Sequence, residues 1–509
     1  MSDESFLADR RSVLKGAAAS AALLAPGAVM AQSRRERDRE SLRQAVDSGF
    51  DDSVARLRQW IALPTIAAEQ LNIEQGADLM ARLANEAGFT GVRKVPTGGV
   101  PAIFGILDAG AARTIGIYFM YDVKQFDPAE WASPPLEGQM FDHMLGKAIR
   151  GRGATNQKGP QAAFLGALHA FRASGRRLPV NLVLLAEGEE EIGSPNFANV
   201  FRDADVLAAF ERVEGVFIPT NGQGPNGNAN ISLGAKGIIE LELVSSGERW
   251  GRGPARDVHS SLKAQIDSPV WHLVEALKTL TTDHGNTPAI EGWFEHVRPL
   301  TERERALIAE AARTRSEAEA KRALGVQRWI DDLPWRESLE RLASQPTVNI
   351  EGLVAGYTGP GGKTVLPARG VAKLDLRLVP NMTVQDCLAK LRRHLDRHGF
   401  SDIEVNMSGG YDPTETAEDS RIIRAQQALF TRHEIPYSLF PRNAGSWPGF
   451  VFTGPPLRKP AGQFGLGHGS GAHAPDEYMI IESNTPRVAG LREATMGYVD
   501  FLQELATIR

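Results

Sequence analysis

Four carboxylates crowd into five residues at Glu187-Gly188-Glu189-Glu190-Glu191, immediately after the apolar run 180–186. A run of that length and character reads as a buried parallel strand. In open α/β sheets the carboxyl ends of strands are where ligands bind, so these acids stand where chemistry is expected. The same stretch would also serve as a solvated acidic turn entering a helix, because glutamates in a first turn complement the helix dipole. The rest of the chain separates the two readings. Further residues of chemical potential recur in distant segments: Asp122 after the apolar run 114–121, Asn156 in the glycine-rich 151–159, His259, Asn349, Arg377, Ser446 and His473.

The elements that must position them follow from periodicity. Helical spacing covers 50–63 and 76–87, and short strands are expected near 92–95 and 102–107. A long loop with Trp131, Pro134 and Pro135 then leads to the glycine-rich stretch and a helix over 161–174. Strands alternating with helices give the class α/β, a mostly parallel sheet sandwiched by helices. A strand near 215–219 and a Gly/Asn-rich turn over 221–230 follow. From Ile231 the texture changes. Residues 238–244 alternate like a half-exposed antiparallel strand, 269–280 is helical, 300–342 is charged and helical, and 365–379 carries another strand. The segment 235–410 therefore reads as an inserted α+β domain, interrupting a catalytic domain made of 32–234 and 411–509, whose last helix spans 487–505.

A net charge of -5, from 57 basic and 62 acidic residues without a long basic run, points away from nucleic acid and leaves a small molecule as the partner. Residues 1–31 read as a processing segment: Arg10-Arg11 and Lys15, a small-residue apolar stretch, then Val29-Met30-Ala31 as a cleavage site. This resembles a twin-arginine export signal and implies a periplasmic protein, free of the membrane once the signal is removed; an uncleaved anchor is the alternative. The single cysteine, Cys387, excludes an intramolecular disulfide and sits in the amphipathic helix 384–395 as a small buried residue.

The order of the motifs carries a resemblance. Tyr121-Asp122-Val123, Trp131 with Pro134-Pro135, Gly151-Arg152-Gly153 with Lys158-Gly159, and Glu187 to Ser194 are followed by Asp257-Val258-His259-Ser260 and Asn349-Ile350-Glu351-Gly352. Arg377-Leu378-Val379-Pro380, Gly445-Ser446-Trp447-Pro448 and Ala472-His473-Ala474-Pro475-Asp476-Glu477 complete the series. In order and spacing it resembles the aminoacylase, carnosinase and glutamate carboxypeptidase family of dinuclear zinc exopeptidases, with acetylornithine deacetylase and succinyl-diaminopimelate desuccinylase. The resemblance runs over nearly the whole mature chain, and the length of the insert looks most like the carnosinase-type branch. It implies a zinc-exopeptidase-like catalytic domain, an inserted lid and dimerisation domain, a homodimer, and a small carboxylate-bearing amide substrate such as a dipeptide or N-acyl amino acid. By position, Glu190 matches the general base, Glu191 and His473 match ligands of one ion, and His259 matches the histidine that stabilises the oxyanion. Arg377, Ser446 and Asn349 match substrate-binding positions.

Three metal positions depart from the family. Met120 stands at a histidine, Asn156 at the bridging aspartate, and Thr220, or Asn221 if the alignment slips by one, at a terminal carboxylate. A neutral amide cannot hold two dications together, and a thioether is a poor zinc ligand. At most one zinc per chain remains, on Glu191, His473 and the Asn156 carbonyl, or none; Met120 reads as core. Lys236, Ser261, Ala444 and Trp447 also depart, and Trp447 is expected to bring a large ring near the substrate pocket. His468, five residues before His473, is either a substitute ligand or base or a backbone-bonded loop histidine. The expected function is an exported hydrolase with Glu190 as base. The alternatives are a metal-independent acid/base enzyme using Glu190, His259 and Arg377 for elimination or isomerisation, and a binding protein without turnover.

Overall fold

The computed structural model describes residues 26–508. Of the export segment expected over 1–31, residues 1–25 lie outside the described residues and 26–31 open the helix Pro26–Ser48. No helix among the described residues is long and apolar enough to cross a membrane.

The central sheet has six strands in the order Thr90–Val95, Ala102–Leu107, Asn181–Glu187, Thr114–Met120, Val216–Pro219 and Ala461–Phe464. The last four run parallel, while the first two join antiparallel, so one edge is mixed. Alternation along the strands divides the core between two faces. Ile115, Ile117, Phe119, Leu182, Leu184 and Ala186 face one side with the helices Phe50–Ala62, Ile73–Ala87, Lys158–Ala173 and Leu491–Thr507. Tyr118, Met120, Val183 and Leu185 face the other, against Phe197, Phe210 and Phe452. The helix Lys158–Ala173 is small-residue-rich because it enters the sheet face directly. A Cβ at Gly159 would run into the carbonyl oxygen of Ala154.

The inserted segment has two parts. Strands Thr347–Ala355, Arg369–Leu378, Gly237–Ser246 and Glu404–Tyr411 form an antiparallel sheet in that order. Helices Pro269–Thr279 and Val384–Arg397 share its core. Cys387 lies in that core, and burial pushes its thiol up to about 12, as a packing residue requires. The charged stretch 300–342 resolves into Glu302–Thr314, Glu317–Leu324 and Trp335–Ser344, and turns away from this sheet. Leu300, Ile308, Ala311, Leu339 and Ala343 pack with Phe440 of the strand Tyr437–Phe440, and Leu307 joins the catalytic core. Arg442 fixes that junction by pairing with Glu304 and donating to the Ala343 carbonyl at 3.0 Å.

Two elements were not apparent in the sequence. The stretch before Gly151 is not all loop: Gln139–His143 and Gly146–Arg150 form a hairpin, extended by Tyr478–Ser483 and Gly469–Ser470 into a four-stranded antiparallel sheet. Its turn, Met144-Leu145, lacks the Asn-Gly or Asp-Gly signal that marks a hairpin. The helix Arg421–Arg432 precedes the strand Tyr437–Phe440, which pairs in parallel with Ala229–Ser232.

Candidate active site

The parallel register of Thr114–Met120 and Asn181–Glu187 sets Met120 opposite Glu187, and the Tyr121 amide donates to the Glu187 carbonyl at 2.8 Å. Both chains then leave the sheet side by side, bringing Asp122 under the acidic turn. Asp122 accepts from the backbone amides of Glu190, at 3.2 Å, and Glu191, at 2.9 Å. Burial, and then the charge of Glu191, push the Asp122 carboxyl up to about 8, against the pull of those amides.

The acids of the run divide by role. Glu187 accepts from the Tyr118 hydroxyl at 2.6 Å, and burial holds it well above the carboxylate range. Glu189 accepts from the Val100 amide at 3.0 Å and from Asn196, tying down the neighbouring loop. Glu190 keeps part of its surface exposed, yet its carboxyl group lies deep. Burial raises it well above its ordinary value, the charges of Glu191, Asp122 and Glu187 add to that, and Lys124 opposes it. The turn is braced from the inserted sheet, where the Tyr411 hydroxyl donates to the Glu190 carbonyl at 2.9 Å. Gly193 has φ +88°, and a Cβ there would stand 2.8 Å from the Gly409 Cα, so only glycine permits that approach.

Asn156 spans the next two groups. Its amide nitrogen donates to Glu191 Oε1 at 2.7 Å and stands 3.0 Å from His473 Nε2, which lies 3.1 Å from Glu191 Oε2. Its loop is held by Glu477, which is 0% exposed and accepts from Arg152 at 2.8 Å, Gly153 at 2.9 Å, and the Thr155 and Asn156 amides at 2.8 Å each. Lys158 anchors the following helix by donating to the carbonyls of Trp60, at 2.8 Å, and Leu63, at 3.0 Å. Burial lowers its ammonium to about 7. Lys124 was missed in the sequence. Its Nζ bonds the Glu191 carbonyl and stands 3.8 Å from Glu191 Oε2, a cation beside the acidic turn. The available signal was a lysine two residues beyond Asp122.

The remaining site residues fall into separate places. Arg377 donates to Ser446 Oγ and to Asp375 Oδ2, each at 3.2 Å, so two domains meet at this guanidinium. Asn349 is exposed on the edge strand, opposite Asp375. His259 is exposed on the inserted domain and bonds Ser261, at 2.8 Å, and Thr364, at 3.0 Å, rather than Glu190. Met120 is buried in the core. The Thr220 amide donates to the Phe464 carbonyl at 3.0 Å, and Asn221 donates to Thr155 Oγ1 at 2.8 Å. Against expectation, the Trp447 ring is buried, its centroid 6.0 Å from that of Tyr118, because it joins the apolar cluster of Tyr118 and Phe452 on this face of the sheet. His468 is buried, its Nδ1 3.0 Å from the Gln223 carbonyl, and burial lowers its pKa.

These residues do not fit a dinuclear zinc centre. Glu191 and His473 are paired donors, but an amide nitrogen faces both, where a bridging oxygen would be required. Among the described residues, the group of three His, Cys, Asp or Glu donors close enough to share an ion lies elsewhere, at Glu291, His394 and His398.

Comparison with known proteins agrees with this architecture. A model described as "Peptidase family M20/M25/M40" matches residues 121–496. Human Beta-Ala-His dipeptidase is 27% identical over 426 residues, covering 77% of this chain and 79% of that protein. The Cys-Gly metallodipeptidase DUG1 of Saccharomyces cerevisiae is 26% identical over 377 residues, covering 70% and 75%. Among solved structures, the M20 family metallo-carboxypeptidase Sso-CP2 from Sulfolobus solfataricus superimposes with a TM-score of 0.80 at 29% identity, over 90% of this chain and 99% of that one. Human carnosine dipeptidase 1 superimposes with a TM-score of 0.75 at 25% identity, over 92% and 100%. With the family model spanning residues 121–496 and the fold shared over nearly the whole described chain, the protein belongs to the M20/M25/M40 peptidase family and is a hydrolase of that family.

Proposed function

We propose that this hydrolase cleaves the amide bond of dipeptide-sized or N-acyl amino acid substrates bearing a free carboxylate, without a dinuclear zinc centre. One observation carries the reading: the Asn156 amide occupies the gap between Glu191 and His473, leaving room in the donor set for a single zinc ion or none. The substrate class follows from the dipeptidase relatives and from Arg377 with Ser446, a guanidinium and hydroxyl suited to a carboxylate. Glu190, as carboxylate, takes a proton from the attacking water and returns it to the leaving amine. Lys124 supplies positive charge beside the acids, and His473 a ring nitrogen at the mouth of the cluster. A second reading is metal-free proton abstraction beside a carboxylate, leading to elimination or isomerisation; the amide at Asn156 favours it.

The proposal includes a homodimer formed through the inserted domain and export to the periplasm. In support, the edge strand Thr347–Ala355 exposes Ile350, Leu353 and Val354. Residues 10–31 carry the export pattern. The test is a panel of dipeptides and N-acyl amino acids beside their C-terminal amides, assayed by product analysis with wild type and Glu190→Gln. Release of free amine from the carboxylates alone, lost in the variant, is the expected result. Equal turnover of the amides, or activity surviving in Glu190→Gln, would refute the assignment.

A further inference from the structure

Away from the active site, Glu291, His394 and His398 present donor atoms within 4.8 Å of one another. His394 lies in the last turn of the helix Val384–Arg397, and His398 follows one turn later on the same face. Their rings lie 4.3 Å apart at 30°. Glu291 comes from the connector after the short strand Thr287–Pro288, between Ile290 and Trp293, both buried in the inserted-domain core. It is held in place by that packing and sets Oε1 2.9 Å from His398 Nε2 and Oε2 in contact with His394 Nδ1.

The neighbouring hydrogen bonds fix the direction of the His394 lone pair. The Thr279 hydroxyl donates to the Ala276 carbonyl at 2.7 Å, so it accepts at 2.9 Å from His394 Nε2–H. Nδ1 then faces a carboxylate oxygen, a contact that a proton closes as a histidine–carboxylate pair and that a bound cation can replace. The nearby Lys390 does not supply it, because its Nζ is taken by Asp386 at 2.6 Å and Glu295 at 3.4 Å. A metal-bound histidine donates its other ring N–H to a fixed acceptor, the part that Thr279 Oγ1 plays for His394 Nε2–H. His394 is nearly fully buried, while Glu291 and His398 are 42% and 40% exposed at their side chains, so an ion can enter from one side and keep a water.

We propose that Glu291, His394 and His398 bind one borderline divalent transition-metal ion, such as zinc, at a site separate from the active site. Two imidazoles and a carboxylate match that class of cation rather than calcium or magnesium. The ion joins the end of the helix to the connector that leads into the helical arm 302–344.

The test is zinc titration of untagged mature protein by calorimetry, repeated in Glu291→Gln and His398→Ala and again in a Glu191→Ala, His473→Ala background that removes the active-site pair. In that background, which leaves the inserted-domain site alone, one zinc bound per chain on the order of 1 μM or tighter is expected. Either single variant placed in that background weakens it about tenfold or more, and zinc raises the melting temperature of the background protein by a few degrees but not of these variants. Unchanged affinity in His398→Ala, or no binding below about 100 μM, would overturn the proposal and leave a histidine–carboxylate ion pair.

Discussion

Glu477 offers a decisive perturbation, because one fully buried carboxylate organises the loop that carries Asn156. Burial raises its pKa, while the three backbone amides and Arg152 pull it down; with every donor aimed at it, the group acts as a carboxylate. Replacing it by alanine strands a guanidinium that is 2% exposed, at a cost of about 3–5 kcal/mol. Three backbone amides also lose their acceptor, each worth about 1 kcal/mol or more. The sum approaches the whole stability of an ordinary domain, about 5–15 kcal/mol, so Glu477→Ala is expected to unfold the loop or fail to accumulate. Glu477→Gln is the informative variant. It keeps the shape and one acceptor oxygen but loses the charge opposite Arg152, and should cost about 3 kcal/mol. Adding Arg152→Met to it should cost less than Arg152→Met alone, by about 2 kcal/mol or more of coupling. Urea denaturation followed by fluorescence reads the stability, and turnover reads the position of Asn156. A Glu477→Gln protein within about 0.5 kcal/mol of wild type, with unchanged turnover, would refute the reasoning.

Other substitutions separate the groups of the site. Glu190→Gln should lower kcat about 10²- to 10⁴-fold with an unchanged melting curve, measured on the best carboxylate substrate. Since burial and Glu191, Asp122 and Glu187 raise the Glu190 carboxyl while the base form is required, kcat/KM should fall as pH drops through that raised value, well above the usual carboxylate range. Lys124→Met removes the charge that opposes the rise and should move this limb to still higher pH; a limb that stays or moves down would assign it to another group. Arg377→Ala should lower kcat/KM about 10- to 100-fold for free carboxylates and leave C-terminal amides unchanged, in steady-state assays. Leu353→Asp on the exposed edge strand should convert a dimer to monomers in sedimentation, and a protein monomeric from the start would remove the dimer from the proposal.

Much of the frame was legible because it rests on periodicity. The strand expected over 180–186 lies at Asn181–Glu187, and the inserted antiparallel sheet contains the alternation of 238–244. Side-chain destinations were less legible, because they are settled by contacts far apart in the chain. Glu187 and Glu189 look like Glu190 in the sequence, yet Tyr118 takes the first and Val100 with Asn196 the second. Lys124 gained its place only when two strand ends met, and Trp447 turned into the core because Tyr118 lies beneath its loop. The arm 302–344 carries a polar pattern that fits either domain; Phe440 and Arg442 decide that it docks on the catalytic one.

The most direct test is the zinc content of His398→Ala protein, saturated with zinc, freed of excess by gel filtration and assayed for turnover alongside. In this variant the inserted-domain site is weakened, so the active site is counted alone. One ion per chain or none, with turnover that needs no second ion, is the expected result. Two ions per chain, with turnover appearing only as the second is bound and lost in Glu191→Ala, would contradict the proposed active site.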